Sequence, residues 1–443
     1  MAPVSEVLAP EPTLLQGDEL EAVLCRALSC KASAFNLLDY SQKLGSAVNG
    51  FLSLCGSLAL EVEGPDGPRT LHVFVKRADA RDVTTGLDSF PRETLYYMNT
   101  VPLLEKAWFG AAARVTPDLG PAPYLATDDV VVMEDLIRRG YAGKPDWIWN
   151  ALDYGAVQQC LRAQARLHAA SLVLERRDGV RLAKAVPDLR DDVYVNRRPG
   201  NTGRRMFDVA ADIVCDYLLP RMFHRLKVPQ TKTELWRLQD ETRDLFLELD
   251  LEKLLAAYPD ELLVLCHGDS WPNNFLFKKD KEGRVEHVAL VDFQMVRLGM
   301  PALDLLMFLH VGTRRCFRRQ HQDSLLRGYH EDLLRFTRER GLDISKDFTM
   351  ADLSKSVERL SFVGRAFSCS YRPVLAGDPA DLAGLFVDSG KRASLMVETA
   401  TRGPLVAKWY EENEKYRDMM QEAVEELLGL QAADDADEPA SPS

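Results

Sequence analysis

At 443 residues, with 46% hydrophobic and 28% charged residues, the chain exceeds what one hydrophobic core usually supports, and its composition excludes collagen-like or largely disordered sequence. A formal net charge of -12 argues against a surface built to neutralise phosphate backbones, so no nucleic-acid partner is expected. The opening residues lack the basic region and apolar run of a secretory signal, and no 18-residue apolar stretch free of charge occurs, so no membrane span and a cytoplasmic location are expected.

In chain order, residues 51–63 (FLSLCGSLALEVE) and 71–77 (LHVFVKR) are runs rich in strand formers around the turn signal GPDGP, which predicts a hairpin opening a β-rich N-terminal lobe. From Phe90 the pattern turns helical, and short strands are predicted at about 123–127 and 130–135. Asp153 is placed to cap a long helix with the stripe Val157, Leu161, Ala165, His168 and Leu172. Amphipathic segments follow at about 205–226 and 232–257. Then come a short strand at LLVLC, a polar loop, a strand pair at FLF and HVALV, and helices to about 429. The organisation expected is an N-terminal lobe over 1–140, a helical C-terminal lobe over 141–430, and a solvated acidic tail over 431–443. Eight cysteines without Cys-x-x-Cys spacing read as buried, reduced thiols.

The stretch LLVLCHGDSWPNNFLF carries the most chemistry. An apolar strand delivers Asp269 and, five positions on, Asn274, before the chain returns to strand. Phosphoryl transfer to an alcohol needs a carboxylate beside the incoming hydroxyl and oxygen ligands for the metal on the nucleotide phosphates; Asp269 suits the first role and Asn274 the second. In HVALVDFQMVRLG, four apolar residues end at Asp292, a natural magnesium ligand at a strand terminus. Lys76 ends the run LHVFV, with Glu93 on the following helix as a candidate ion-pair partner.

Other readings stay open at this point. The segment from Gly45 to Gly56 fits a nucleotide-covering hairpin and an ordinary turn alike, and matches neither Walker A nor Gly-x-Gly-x-x-Gly. The strand VVVMEDL either presents backbone groups to an adenine at Glu134, Asp135 and Leu136 or simply ends there. Asp304, on the first turn of an apolar helix, needs a partner and reads as a brace for the loop at His267. A metallohydrolase centre of His267, Asp269, His287 and Asp292 fits poorly, because His287 and Asp292 stand roughly 16 Å apart along a strand at about 3.3 Å per residue. A nucleophilic Cys266 belongs to the apolar strand and would be inert.

These residues resemble the ecdysteroid kinase-like proteins, relatives of choline and aminoglycoside kinases. The marks are NGFLS, VFVK at Lys76, FPRETLYY around Glu93, VMEDLIRRGY, LHAAS at His168, HGDSWPNN and VDFQMVRLGMPALDLLMFL. The resemblance implies an α+β, protein-kinase-like fold of two lobes, with an enlarged helical C-terminal lobe. It also implies ATP with magnesium (Mg2+), and transfer to a small-molecule alcohol. By the same resemblance Lys76 and Glu93 form the phosphate-binding pair, Asp269 is the catalytic base, Asn274 and Asp292 hold the metal, and His168 packs beneath the loop. Trp271 is expected to fix the loop, and His267 to support it. An ecdysteroid or other apolar hydroxylated acceptor is favoured over a choline- or aminoglycoside-like one, because Phe362, Phe367, Tyr371, Leu375 and Phe386 lie among few acids. A kinase-fold binding protein without activity is the alternative of a different class.

Overall fold

A computed structural model describes residues 14–44, 53–64, 67–78, 89–110, 116–191, 202–386 and 389–430. Of the segment from Gly45 to Gly56, which fits a nucleotide-covering hairpin and an ordinary turn alike, residues 45–52 lie outside the described residues, as does the acidic tail at 431–443. The chain divides into two compact units: Met1–Asp79 with Ala122–Asp135, and Ala80–Pro121 with Leu136–Ser443.

The first unit is a helix on a sheet. Among its described residues, strands β1 (Asn36–Leu44), β2 (Ser53–Gly64), β3 (Gly67–Ala78), β4 (Pro123–Ala126) and β5 (Val130–Glu134) form an antiparallel sheet in the order β1-β2-β3-β5-β4. Strand side chains alternate between faces. Leu58, Leu60, Val62, Val73, Val75, Val130 and Val132 thus share one face, where they pack with Leu20, Val23 and Leu24 of the helix Gly17–Leu28. Those helical positions are three and four apart, the spacing of one helix face. Arg77 closes this edge by donating to Leu14 O (3.0 Å) and pairing with Glu19 and Asp129.

The hairpin and both later strands stand where the sequence places them; β1 and the N-terminal helix do not emerge from the pattern reading. β1 is an edge strand with exposed positions along most of its length, so it lacks the buried alternation that marks a strand in sequence.

The second unit is mostly helical, with two small sheets among its described residues. Strand β6 (Tyr141–Ala142) pairs with β8 (Phe275–Lys279), which pairs with β9 (Val285–Leu290); β7 (Val264–Cys266) pairs with β10 (Arg297–Gly299). All of these pairs are antiparallel. Helix Tyr154–Leu172 is capped by Asp153, which accepts the Ala156 N–H (2.8 Å), and it packs along both small sheets and the helix Arg315–Glu339. Helix Pro301–Gly312 is buried at every residue and lies against the helix Ser361–Leu375. All-round burial explains its uniformly apolar sequence and makes its single acid, Asp304, conspicuous.

All eight cysteines are free. The expectation of uniform burial fails at three: Cys316 is exposed, and Cys25 and Cys30 are half-buried. No helix among the described residues is long and apolar enough to cross a membrane.

Candidate active site

The loop between β7 and β8 is shaped first by backbone constraints. Gly268 has φ +81, and a Cβ there would meet Met295 O at 2.0 Å, so only glycine fits. Its carbonyl is held by Arg297 Nη1 (3.2 Å). The loop then closes through a short turn, Pro272–Asn274, whose Asn274 N–H reaches Trp271 O (2.9 Å).

Beneath the loop sits Asp304, wholly buried. Its Oδ2 accepts the His267 N–H (2.6 Å) and its Oδ1 the Gly268 N–H (3.0 Å). His168 Nε2 lies 3.2 Å from Oδ2, and His168 Nδ1 lies 2.7 Å from Tyr329 Oη. An ionised carboxylate only accepts, so Nε2 carries the proton and the Tyr329 hydroxyl donates to Nδ1. Burial pushes the Asp304 carboxyl up, but the His168 hydrogen bond and the nearby Arg297 charge outweigh it and hold the group at about 2. The His267 ring is fixed in the same way: Nε2 faces Val291 O (2.9 Å), and Nδ1 accepts the Asp269 N–H (3.3 Å).

Above this floor stands Asp269, 2% exposed. Its Oδ2 accepts from Asn274 Nδ2 (3.0 Å) and Trp271 Nε1 (3.2 Å), with Gln294 Nε2 at 3.5 Å. Asn274 Nδ2 also reaches Asp269 O (2.8 Å), which turns the amide oxygen of Asn274 away from the Asp269 carboxylate. The Tyr371 hydroxyl donates to Oδ1 (2.8 Å). Burial first, and then the charge of Asp292, raise the Asp269 carboxyl above its ordinary range against the pull of the Tyr371 and Asn274 hydrogen bonds.

Asp292 follows the end of β9 with φ +67, a left-handed conformation uncommon outside glycine and frequent at working sites. The Asn274 carbonyl accepts the Val291 N–H (3.0 Å), so the segments carrying Asn274 and Asp292 are tied together. The donor set fits magnesium: an amide oxygen and carboxylates are hard ligands, and a divalent cation would relieve the repulsion that raises Asp269.

Of the other expected residues, Lys76 is buried in β3 opposite Cys55 of β2 and Val131 of β5, on the sheet face away from Val73 and Val75. Glu93 is buried on the helix Ser89–Leu95. Glu134 ends β5, its N–H given to Ala122 O (2.8 Å). Leu136 is buried with Tyr141 and Ala289. His287 binds Asp118 (3.0 Å) and Tyr141 (3.1 Å), a half-buried network among segments other than the loop.

Two aromatic contributions escape local sequence reading. Trp147 Nε1 donates to Asn273 Oδ1 (2.8 Å) and its ring meets Trp271 edge-on. Tyr371, expected only as a pocket wall, bonds to Asp269; no spacing rule links residue 371 to residue 269, and only packing of the helix Ser361–Leu375 brings them together. The side chain of Phe386 is outside the described residues. None of the curated proteins compared with the chain matches it. A family model matches residues 47–341 of the 443, and the chain belongs to the ecdysteroid kinase-like family, whose kinase-like α+β fold it shares.

Proposed function

We propose that the protein transfers the γ-phosphoryl group of magnesium ATP to the hydroxyl of a small molecule. Membership of the family implies kinase-like activity on small molecules. The observation that carries the finer reading is Asp269, a buried carboxylate of raised proton affinity with the Asn274 amide beside it and the charge of Asp292 nearby. A general base must sit within hydrogen-bond reach of the proton that it takes and have enough affinity to hold it.

In this reading Asp269 receives the acceptor's hydroxyl proton, and Asn274 and Asp292 offer oxygens to magnesium. Lys76 and Glu93 serve the nucleotide phosphates, and the backbone at Glu134 and Leu136 serves the adenine. His267 and Asp304 keep the loop in shape. When bound, the metal supplies charge neutralisation on the transferring phosphoryl group.

For the acceptor, a hydroxylated and largely apolar molecule such as an ecdysteroid is favoured. Phe367 is buried beside Tyr371 and packs edge-on against Phe207, giving this side of the base an apolar character. A cationic acceptor is the second reading, because Trp147, Trp271 and Tyr371 put three electron-rich rings in succession, with centroids 6.3 and 6.1 Å apart.

The test is incubation of the purified chain with magnesium ATP and a panel of sterols, choline, sugars and aminoglycosides, with phosphorylated products followed by mass. A phosphorylated sterol is the expected outcome. Product from choline or a polycation alone would replace the acceptor and keep the kinase, whereas absence of both product and ATP binding would end the assignment.

A further inference from the structure

The two oxygens of Asp269 are treated differently. Trp271 Nε1 (3.2 Å), Asn274 Nδ2 (3.0 Å) and Gln294 Nε2 (3.5 Å) converge on Oδ2, while Oδ1 accepts from the Tyr371 hydroxyl alone among the described residues. A carboxylate oxygen takes about two hydrogen bonds, so Oδ2 is full and an incoming hydroxyl must come to Oδ1, where Tyr371 takes one of the two positions and its ring stands over the other. With Asp269 almost wholly buried, something has to move to admit it. Trp271 and Asn274 are themselves buried within the loop, whereas Tyr371 is half-buried and arrives on a separate helix, beyond the family-matched residues.

We infer that Tyr371 caps the base: its hydroxyl holds the place of the acceptor's hydroxyl on Asp269 Oδ1 and keeps water from attacking ATP until the acceptor displaces it. The inference rests on the kinase reading above. In productive transfer the acceptor oxygen bonds to the γ-phosphorus as the bond from that phosphorus to the β,γ-bridging oxygen breaks. ADP leaves with the electron pair, and the hydroxyl proton passes to Oδ1. Water in the same place would give ADP and inorganic phosphate.

The exchange of one O–H···O bond for another leaves the hydrogen-bond count unchanged. What must be replaced is the packing of the Tyr371 ring, whose centroid lies 6.1 Å from both Trp271 and Phe367. An apolar acceptor restores those contacts and water cannot, which is how the cap distinguishes the two.

The helix turn that carries the cap is suited to a small displacement. Pro373 lies inside the helix Ser361–Leu375 and removes the N–H that would bond to Cys369 O, so one rung is missing across the turn containing Tyr371. The C-terminal end of that turn is nevertheless anchored. Tyr416 donates to Pro373 O (2.8 Å), and Arg372 holds His310 O (2.9 Å) and Glu422 (3.2 Å).

Two readouts on the full chain decide the matter. Without acceptor, Tyr371→Phe is expected to release phosphate from magnesium ATP about tenfold faster than wild type, the worth of roughly one hydrogen bond. The double variant with Asp269→Asn should fall back to background. Independently of any nucleotide, carbodiimide-driven amidation of Asp269, followed by peptide mass and run well below the melting temperature of both proteins, should be about tenfold faster in Tyr371→Ala, because the cover over Oδ1 is gone. Equal amidation in wild type and variant overturns the cap whatever ATP does. Phosphate release no higher than wild type in a variant that binds ATP overturns it too. Failure of wild type to bind magnesium ATP in a calorimetric titration would instead sink the kinase reading, and the amidation rates would still judge the cap.

Discussion

The floor and the roof of the loop between β7 and β8 each hold a buried aspartate, and the two are driven in opposite directions. Asp304 on the floor meets two backbone N–H groups and His168, and is held at about 2. Asp269 on the roof also meets several donors, yet it faces the like charge of Asp292 and is pushed up. Residue type and burial are the same, so what separates the two is whether the surrounding charge favours the ionised form. A carboxylate whose acceptor sites are filled by backbone donors fixes geometry. One crowded by a second acid stays poised to take a proton.

The same substitution at the two positions should break the comparison most visibly. Asp304→Asn replaces one acceptor oxygen with a donor aimed at a backbone N–H and leaves His168 without its carboxylate. It is expected to cost about 1 to 3 kcal/mol or more, the penalty for leaving a buried donor without its acceptor, read as loss of unfolding free energy in denaturant. Asp269→Asn relieves the repulsion with Asp292 instead, so its stability at neutral pH should match or exceed wild type. A drop as large as that of Asp304→Asn would show that both acids are braces.

A smaller effect is expected from pH. Because the folded-state value of Asp304 lies below its unfolded one, its contribution is present above the ordinary carboxylate value near 4 and lost as pH falls toward about 2. Asp269 has the opposite sign: its folded-state value is raised, so its ionisation costs stability as pH climbs through the ordinary carboxylate range. Unfolding curves between pH 5 and pH 2 should therefore flatten in Asp304→Asn relative to wild type. An identical slope in the two proteins would remove Asp304 from the account.

How much of this was legible in the sequence follows from what local patterns report. The hairpin of β2 and β3, the Asp153 cap and the strand-loop-strand around Asp269 and Asn274 are written in alternation, capping chemistry and spacing, all of which act over a few residues. Asp304 was legible because an acid on a wholly apolar helix demands a partner. Strand β1 was not, since an exposed edge needs no apolar alternation, and the Tyr371 contact was not, since it depends on how the helix Ser361–Leu375 packs in the folded chain. The Asp118–His287 network was hidden for the same reason: its members come from distant segments, and together they keep Asp118 below the ordinary carboxylate range despite its burial.

The central claim, that Asp269 acts in the chemical step while the residues around it hold metal and loop, is tested most directly by measuring nucleotide binding and turnover side by side in Asp269→Asn. Turnover of magnesium ATP should fall by a factor on the order of 10² or more, with calorimetric ATP affinity and melting temperature close to wild type. Loss of ATP binding as complete as the loss of turnover would contradict the claim and make Asp269 a metal ligand or a brace.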